Sequence, residues 1–169
     1  MYYIYPKLSE KDGILFRLGG AGLGNILFTY ARAVIYVQNH EDAEMIWPTW
    51  FSFKLGPILR HEPDKRFYND LFVNRSGYID GFKKANILIT KKHVKEQDIS
   101  KEQGLDGCVV DFEGFENCFQ EIMNDSQAVY KDLVRNLNPK YQDAVRLMEK
   151  ILFVSMFAWV ILQGYHGKK

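Results

Sequence analysis

Gly19-Gly20-Ala21-Gly22-Leu23-Gly24-Asn25 follows the apolar run Gly13-Ile14-Leu15-Phe16-Arg17-Leu18 and leads into Ile26-Leu27-Phe28-Thr29-Tyr30-Ala31-Arg32-Ala33-Val34. A short buried strand, a glycine-dense turn and an amphipathic helix, in that order, open many nucleotide-handling α/β domains. Four glycines in six residues let the backbone turn sharply and approach a helix, a ligand or both. Asn25 adds one amide where the helix begins. The same glycines would also serve a close strand-to-helix corner with no ligand at all.

Beyond the turn, Ile26, Leu27, Tyr30, Val34 and Val37 (or Ala33) recur at three- and four-residue steps, which predicts a helix over 25–40. Ala43 to Trp47 reads as a short strand stopped by Pro48. The aromatic stretch 50–59 reads as a short helix or ordered loop. Residues 85–90 and 107–112 are further strand candidates, separated by a polar loop over 91–106. Residues 115–123 and 126–137 read as helices, the second capped by Ser126. Pro139 closes that helix or opens the next, over 141–150. Alternating strands and helices predict an α/β, Rossmann-like parallel sheet.

The chain has 169 residues and a net charge of +1, with 47% hydrophobic residues. That suits a packed α/β domain and gives no electrostatic reason to expect a nucleic-acid partner. Cys108 and Cys118 are too far apart for a CxxC metal or redox site, so reduced thiols in a cytoplasmic protein are expected. The N-terminus carries no secretory-signal pattern, and Asn74-Arg75-Ser76, formally a glycosylation sequon, reads as a turn. The spacing Gly20-x-Gly22-x-Gly24 is not the GxGxxG of dinucleotide binding, and no Lys-Ser or Lys-Thr follows as a phosphate-binding P-loop requires. His61, His93 and the run Asp64-Lys65-Arg66 read as surface groups. Tyr68 to Phe72 would line a groove or anchor a helix.

The segment 19–33, Gly-Gly-Ala-Gly-Leu-Gly-Asn-Ile-Leu-Phe-Thr-Tyr-Ala-Arg-Ala, resembles the N-terminal signature of α-1,2-fucosyltransferase-type glycosyltransferases, GGLGNQ(M/L)FQYA after a strand. Gly22, Leu23, Gly24 and Asn25 keep the core of that signature, and Phe28, Tyr30 and Ala31 fall in register. Ile26 replaces the family's Gln. Gly114-Phe115 with Phe119 is similar to the segment that closes the family's first domain. The resemblance implies a two-domain, GT-B-type enzyme with a GDP-fucose donor, a galactoside acceptor and no metal or other cofactor. It assigns 1–138 to the acceptor-side domain and 139–169 to the start of the donor domain. Gly22, Gly24 and Asn25 are the substrate-binding residues it implies; it gives no catalytic residue in this chain. Peripheral membrane association stays open. Two other readings also stay open. One is a nucleotide-binding α/β protein such as a small oxidoreductase; the other is a non-catalytic glycan-binding module using Trp47, Trp50, Phe51 and Phe53.

The donor domain of that family opens with His-x-Arg-x-Gly-Asp, whose Arg would neutralise a diphosphate leaving group. Instead the tail carries the apolar run 151–162. Met156 to Ile161 can be written ATG TTC GCA TGG GTG ATT. After a Ser codon ending in C, the shifted frame reads CAT GTT CGC ATG GGT GAT, or His-Val-Arg-Met-Gly-Asp. The last dozen or so residues are therefore expected to be a frameshifted readout that truncates the donor domain. Sequencing the gene across codons 150–169 should find that motif in the shifted frame; its absence removes the frameshift.

Overall fold

A computed structural model describes residues 1–19, 22–53, 59, 61, 68, 70–102, 104–114 and 118–143. The chain divides into two compact units, Met1–Asn136 and Leu137–Lys169.

The first unit is built on a strand the glycine signature does not announce. Strand β1 (Tyr2–Pro6) has Tyr2, Ile4, Tyr5 and Pro6 buried, as a central parallel strand covered on both faces requires. It pairs in parallel with β4 (Ala43–Met45) on one side and β7 (Val109–Phe112) on the other. Strand β6 (His93–Lys95) completes the order β4-β1-β7-β6, all parallel. The main sheet is thus the α/β parallel sheet expected, although its first strand is Tyr2–Pro6 and not 13–18.

The expected strand 13–18 shrinks to β3 (Arg17–Leu18), which pairs with β2 (Lys11–Asp12) and β5 (Ser52–Phe53) in a small separate sheet. Leu15 and Phe16 are exposed, so the run is apolar without being core. Gly19 follows at φ +71°, a left-handed conformation that favours glycine, and Ser52 Oγ donates to its carbonyl at 2.9 Å. Helix α1 (Leu23–Asn39) then starts close to the expected boundary.

Period-two alternation along β1 sends its side chains to two layers. Tyr2 meets Tyr36 of α1, with the rings edge-on at 6.3 Å. Tyr5 joins Ile46, Ile79, Ile87 and Val109 in a cluster on the other face. Ile87 belongs to α2 (Gly81–Thr90), so the expected strand 85–90 is a helix. Asp80 explains why: its carboxylate accepts from the Gly81 amide and starts a helix that buries Lys84 and Ile87 on one side. Part of the expected 91–106 loop is likewise ordered, as β6 and a 3-10 turn over Glu96–Lys101. Helix α3 (Cys118–Asn136) has non-helical angles at Asp125, so the two expected helices meet at a kink there. Ala31 and Ile35 of α1 pack against Val129 of α3.

Asp132 of α3 is the polar hub of this unit. Its carboxylate accepts from Tyr30 Oη at 2.5 Å, Tyr78 Oη at 2.7 Å and Ser76 Oγ at 2.7 Å. Asn136 Oδ1 accepts from the amides of Arg75 and Ser76, and its Nδ2 donates to Ser76 Oγ at 2.8 Å. The sequon residue Asn74 bonds both backbone groups of Tyr78 through its amide, as a turn residue. In the second unit, residues 139–143 are helical. The Lys140 amide donates to Asn138 Oδ1 at 3.2 Å, so Pro139 opens a helix as a first-turn residue. The expected remainder of that helix, the run 151–162 and the frameshifted motif lie outside the described residues.

Tyr30→Phe removes one of three hydroxyl donors to Asp132 and should cost about 1–2 kcal/mol in urea unfolding. Asp132→Ala strands all three hydroxyls and the Asn136 amide and should cost more than Tyr30→Phe.

Candidate functional site

Strand order reverses between β1 and β7: β1 runs through α1 to β4 on one side, while β6 lies beyond β7 on the other. In open α/β sheets such a reversal leaves a crevice outside the carboxyl ends of the two strands. A crevice of about 1420 Å³ lies there, with Lys7 and Leu8 after β1, Glu113 and Gly114 after β7, and Asn25 of α1 in its lining.

Three neighbouring strands each supply one charged side chain to this edge. Glu113 Oε2 accepts from Lys7 Nζ at 3.3 Å, and its Oε1 pairs with Lys95 Nζ at 3.0 Å. The bond from Lys95 lowers the Glu113 pKa, holding the carboxylate ionised against a smaller opposing effect of burial. Deeper in the lining, the buried Arg32 Nη1 donates to the Gly114 carbonyl at 3.4 Å and Nη2 to the Glu113 carbonyl at 3.2 Å. Nη2 also pairs with the Glu96 carboxylate, and Thr29 Oγ1 donates to the Gly114 carbonyl at 3.2 Å. Helix α1 thereby grips the turn that leaves β7.

Of the three expected binding residues, Asn25 is exposed and lines the crevice. Gly22 is the N-cap of α1, and Gly24 sits in its first turn. That turn has no carboxylate, and Gly22 supplies no side-chain cap to its amides. A Cβ built at Gly22 or Gly24 meets nothing within 4 Å among the described residues, so packing does not demand glycine at either position. Ile26, at the family's Gln position, is buried and still borders the crevice.

Below the loop that follows β1 lies a buried polar cluster that the sequence reading did not assemble. Asp12 Oδ2 accepts from the Leu8 amide at 2.8 Å, and the fully buried Arg17 donates from Nη1 to the Leu8 carbonyl at 3.4 Å. Lys84 Nζ donates to Thr49 Oγ1 at 2.9 Å, and that oxygen lies 3.1 Å from Tyr5 Oη. Burial pushes Asp12 up to about 6, opposed by the Leu8 amide and Lys84. Burial likewise pushes Lys84 down to about 8, opposed by Asp80 and Asp12. The loop these groups anchor carries Ser9, Glu10 and Lys11 into the crevice lining.

The remaining candidates fall elsewhere. Trp47 and Trp50 are 7% and 4% exposed and pack with Tyr30 and Phe72, so neither stacks on a glycan from the surface. Phe51 is partly exposed. Phe72 is the anchoring aromatic of the 68–72 stretch, packed 4.3 Å from the Trp50 ring. His61 is exposed. His93 is paired: Nδ1 lies 2.9 Å from Asp111 Oδ1, and Nε2 lies 3.0 Å from the Leu88 carbonyl. Cys108 is a buried free thiol. The run 64–66 lies outside the described residues. Among the described residues no group of three or more His, Cys, Asp or Glu is placed to hold a metal, and no helix is long and apolar enough to cross a membrane. No protein family, curated protein or solved structure matches the chain.

The buried pair gives stability a definite pH dependence. The folded state holds the Asp12 proton more tightly than the unfolded chain, so stability from this group falls as pH rises from 3.8 to about 6. Lys84 releases its proton more readily when folded, so its contribution rises with pH between about 8 and 10.5. In urea titrations, Asp12→Asn should flatten the acid limb, while Lys84→Met should flatten the alkaline limb and push the Asp12 pKa further up.

Proposed function

We propose that the crevice is the acceptor-sugar side of a fucosyltransferase-like glycosyltransferase. The single observation that carries the reading is the position of Asn25. The Gly22-Leu23-Gly24-Asn25 turn places this amide in the lining of the switch-point crevice. Two further features fit. Gly22 and Gly24 leave open space beside Asn25 that the fold does not need, which would let a ligand approach the backbone. The lining holds four cations (Lys7, Lys11, Arg32 and Lys95) against five carboxylates, Glu10, Glu96, Asp111, Glu113 and Asp125. Such a balance suits an uncharged, hydroxyl-rich ligand and disfavours a free diphosphate.

In the whole enzyme, GDP-fucose would be held by the opposite domain of a GT-B-type pair. Fucose would pass to a galactoside hydroxyl in the cleft, with GDP leaving. Residues 139–169 would begin that second domain, and the crevice would hold the acceptor. We place its work in the cytoplasm, without metal.

Calorimetric titration separates this reading from its rivals. Lactose should bind, GDP-fucose should neither bind tightly nor be hydrolysed, and NADH should not bind. Asn25→Ala should lose about 1 kcal/mol of lactose affinity, roughly fivefold. Gly24→Ala should leave the fold as stable or raise its stability by up to about 1 kcal/mol, yet weaken lactose binding. Nicotinamide binding without sugar binding would overturn the reading.

A further inference from the structure

The crevice is longer than one sugar. Its lining follows one face of α1 from Asn25 to His40. At 1.5 Å rise per residue that is about 22 Å, several times the breadth of one pyranose ring. Its volume of about 1420 Å³ exceeds the roughly 300–1,000 Å³ typical of pockets for drug-sized ligands.

The far end is organised for stacking. Tyr36 and His40 lie in parallel, with ring centroids 3.9 Å apart and planes 8° apart, and both border the crevice. Both rings are fixed. Tyr36 Oη lies 3.1 Å from Tyr2 Oη, and His40 Nδ1 lies 2.8 Å from the Tyr36 carbonyl. The Phe112 ring packs against Tyr36 in a T-shaped pair at 5.3 Å. Each ring covers one face of the other, so a pyranose, whose face of C–H groups is slightly positive, would lie on the outer side of this stack. Asn39, between the two rings in sequence, brings an exposed amide to the same end of the lining.

We infer that the crevice has a second sugar subsite at the C-terminal end of α1, formed by Tyr36, Asn39 and His40, so that its ligand is a linear oligosaccharide of several units. This inference rests on the reading of the crevice as a glycan site. The Asn25 end takes the terminal galactoside, and the Tyr36–His40 end takes a sugar farther along the same chain. The fixed rings mean that little side-chain freedom is lost when the sugar arrives.

Titrating the full chain with galactose, lactose and a galactose-terminated tetrasaccharide tests it. The tetrasaccharide should bind at least tenfold more tightly than galactose. His40→Ala and Asn39→Ala should each reduce that gain while leaving galactose affinity unchanged, with melting curves confirming the fold. Tyr36→Ala should abolish the gain. Equal affinity for galactose and the tetrasaccharide, or a gain that survives all three substitutions, overturns the second subsite while the Asn25 site stands. Failure of every saccharide to bind overturns the glycan reading and the subsite with it.

Discussion

The guanidinium of Arg32 holds three segments at one point, and the crevice depends on it. From a buried position on α1 it reaches the carbonyls of Glu113 and Gly114 after β7 and the carboxylate of Glu96 after β6. An arginine so buried is tolerated because its charge is met by a carboxylate and both its terminal nitrogens donate to fixed carbonyls. The planar fork fits this task, since one rigid group can bind several acceptors at set angles. Asn25, about two turns earlier on the same helix, takes its position relative to the strand ends from this clamp. Gly114, at φ +75°, adopts the left-handed turn that aims its carbonyl where Thr29 and Arg32 can both donate to it.

Two other polar centres hold the rest of this unit, by different physics. The Asp132 hub meets its carboxylate with three hydroxyl donors, and Asn136 closes the network, so burial leaves few orphans there. The cluster under the first loop is less well balanced. Among the described residues, Arg17 Nε and Nη2 are buried without hydrogen-bond partners. Opposite charges lie within electrostatic reach without satisfying one another, which makes this the costlier of the two arrangements.

Legibility in the sequence followed the range of the forces involved. Helix α1 was readable because its signal is local: apolar residues every three to four positions, a glycine start and no proline. The kink at Asp125 was readable for the same reason. Strand β1 was not, because three tyrosines among its first four residues are as apolar as a core strand only once helices cover both faces. Ile87 and Ile89 suggested a strand, but the local cap from Asp80 and the need to bury Ile87 against Tyr5 and Val109 favoured a helix. In the candidate site, Asn25 was legible from its motif. Lys7, Lys95 and Glu113 were not, since each is an ordinary charge until three parallel strands end side by side. The partnership of Asp12 with Lys84 likewise spans 72 positions and leaves no local trace.

The last strand of the sheet carries a consequence for how copies of the molecule meet. Strand β6 ends the order on one side and is three residues long, with Val94 buried between exposed His93 and Lys95. A margin this short, bearing a cation and an imidazole, is a poor template for a foreign strand. Intermolecular sheet extension, a common route from folded protein to fibril, is therefore blunted at this border by the same lysine that flanks the crevice.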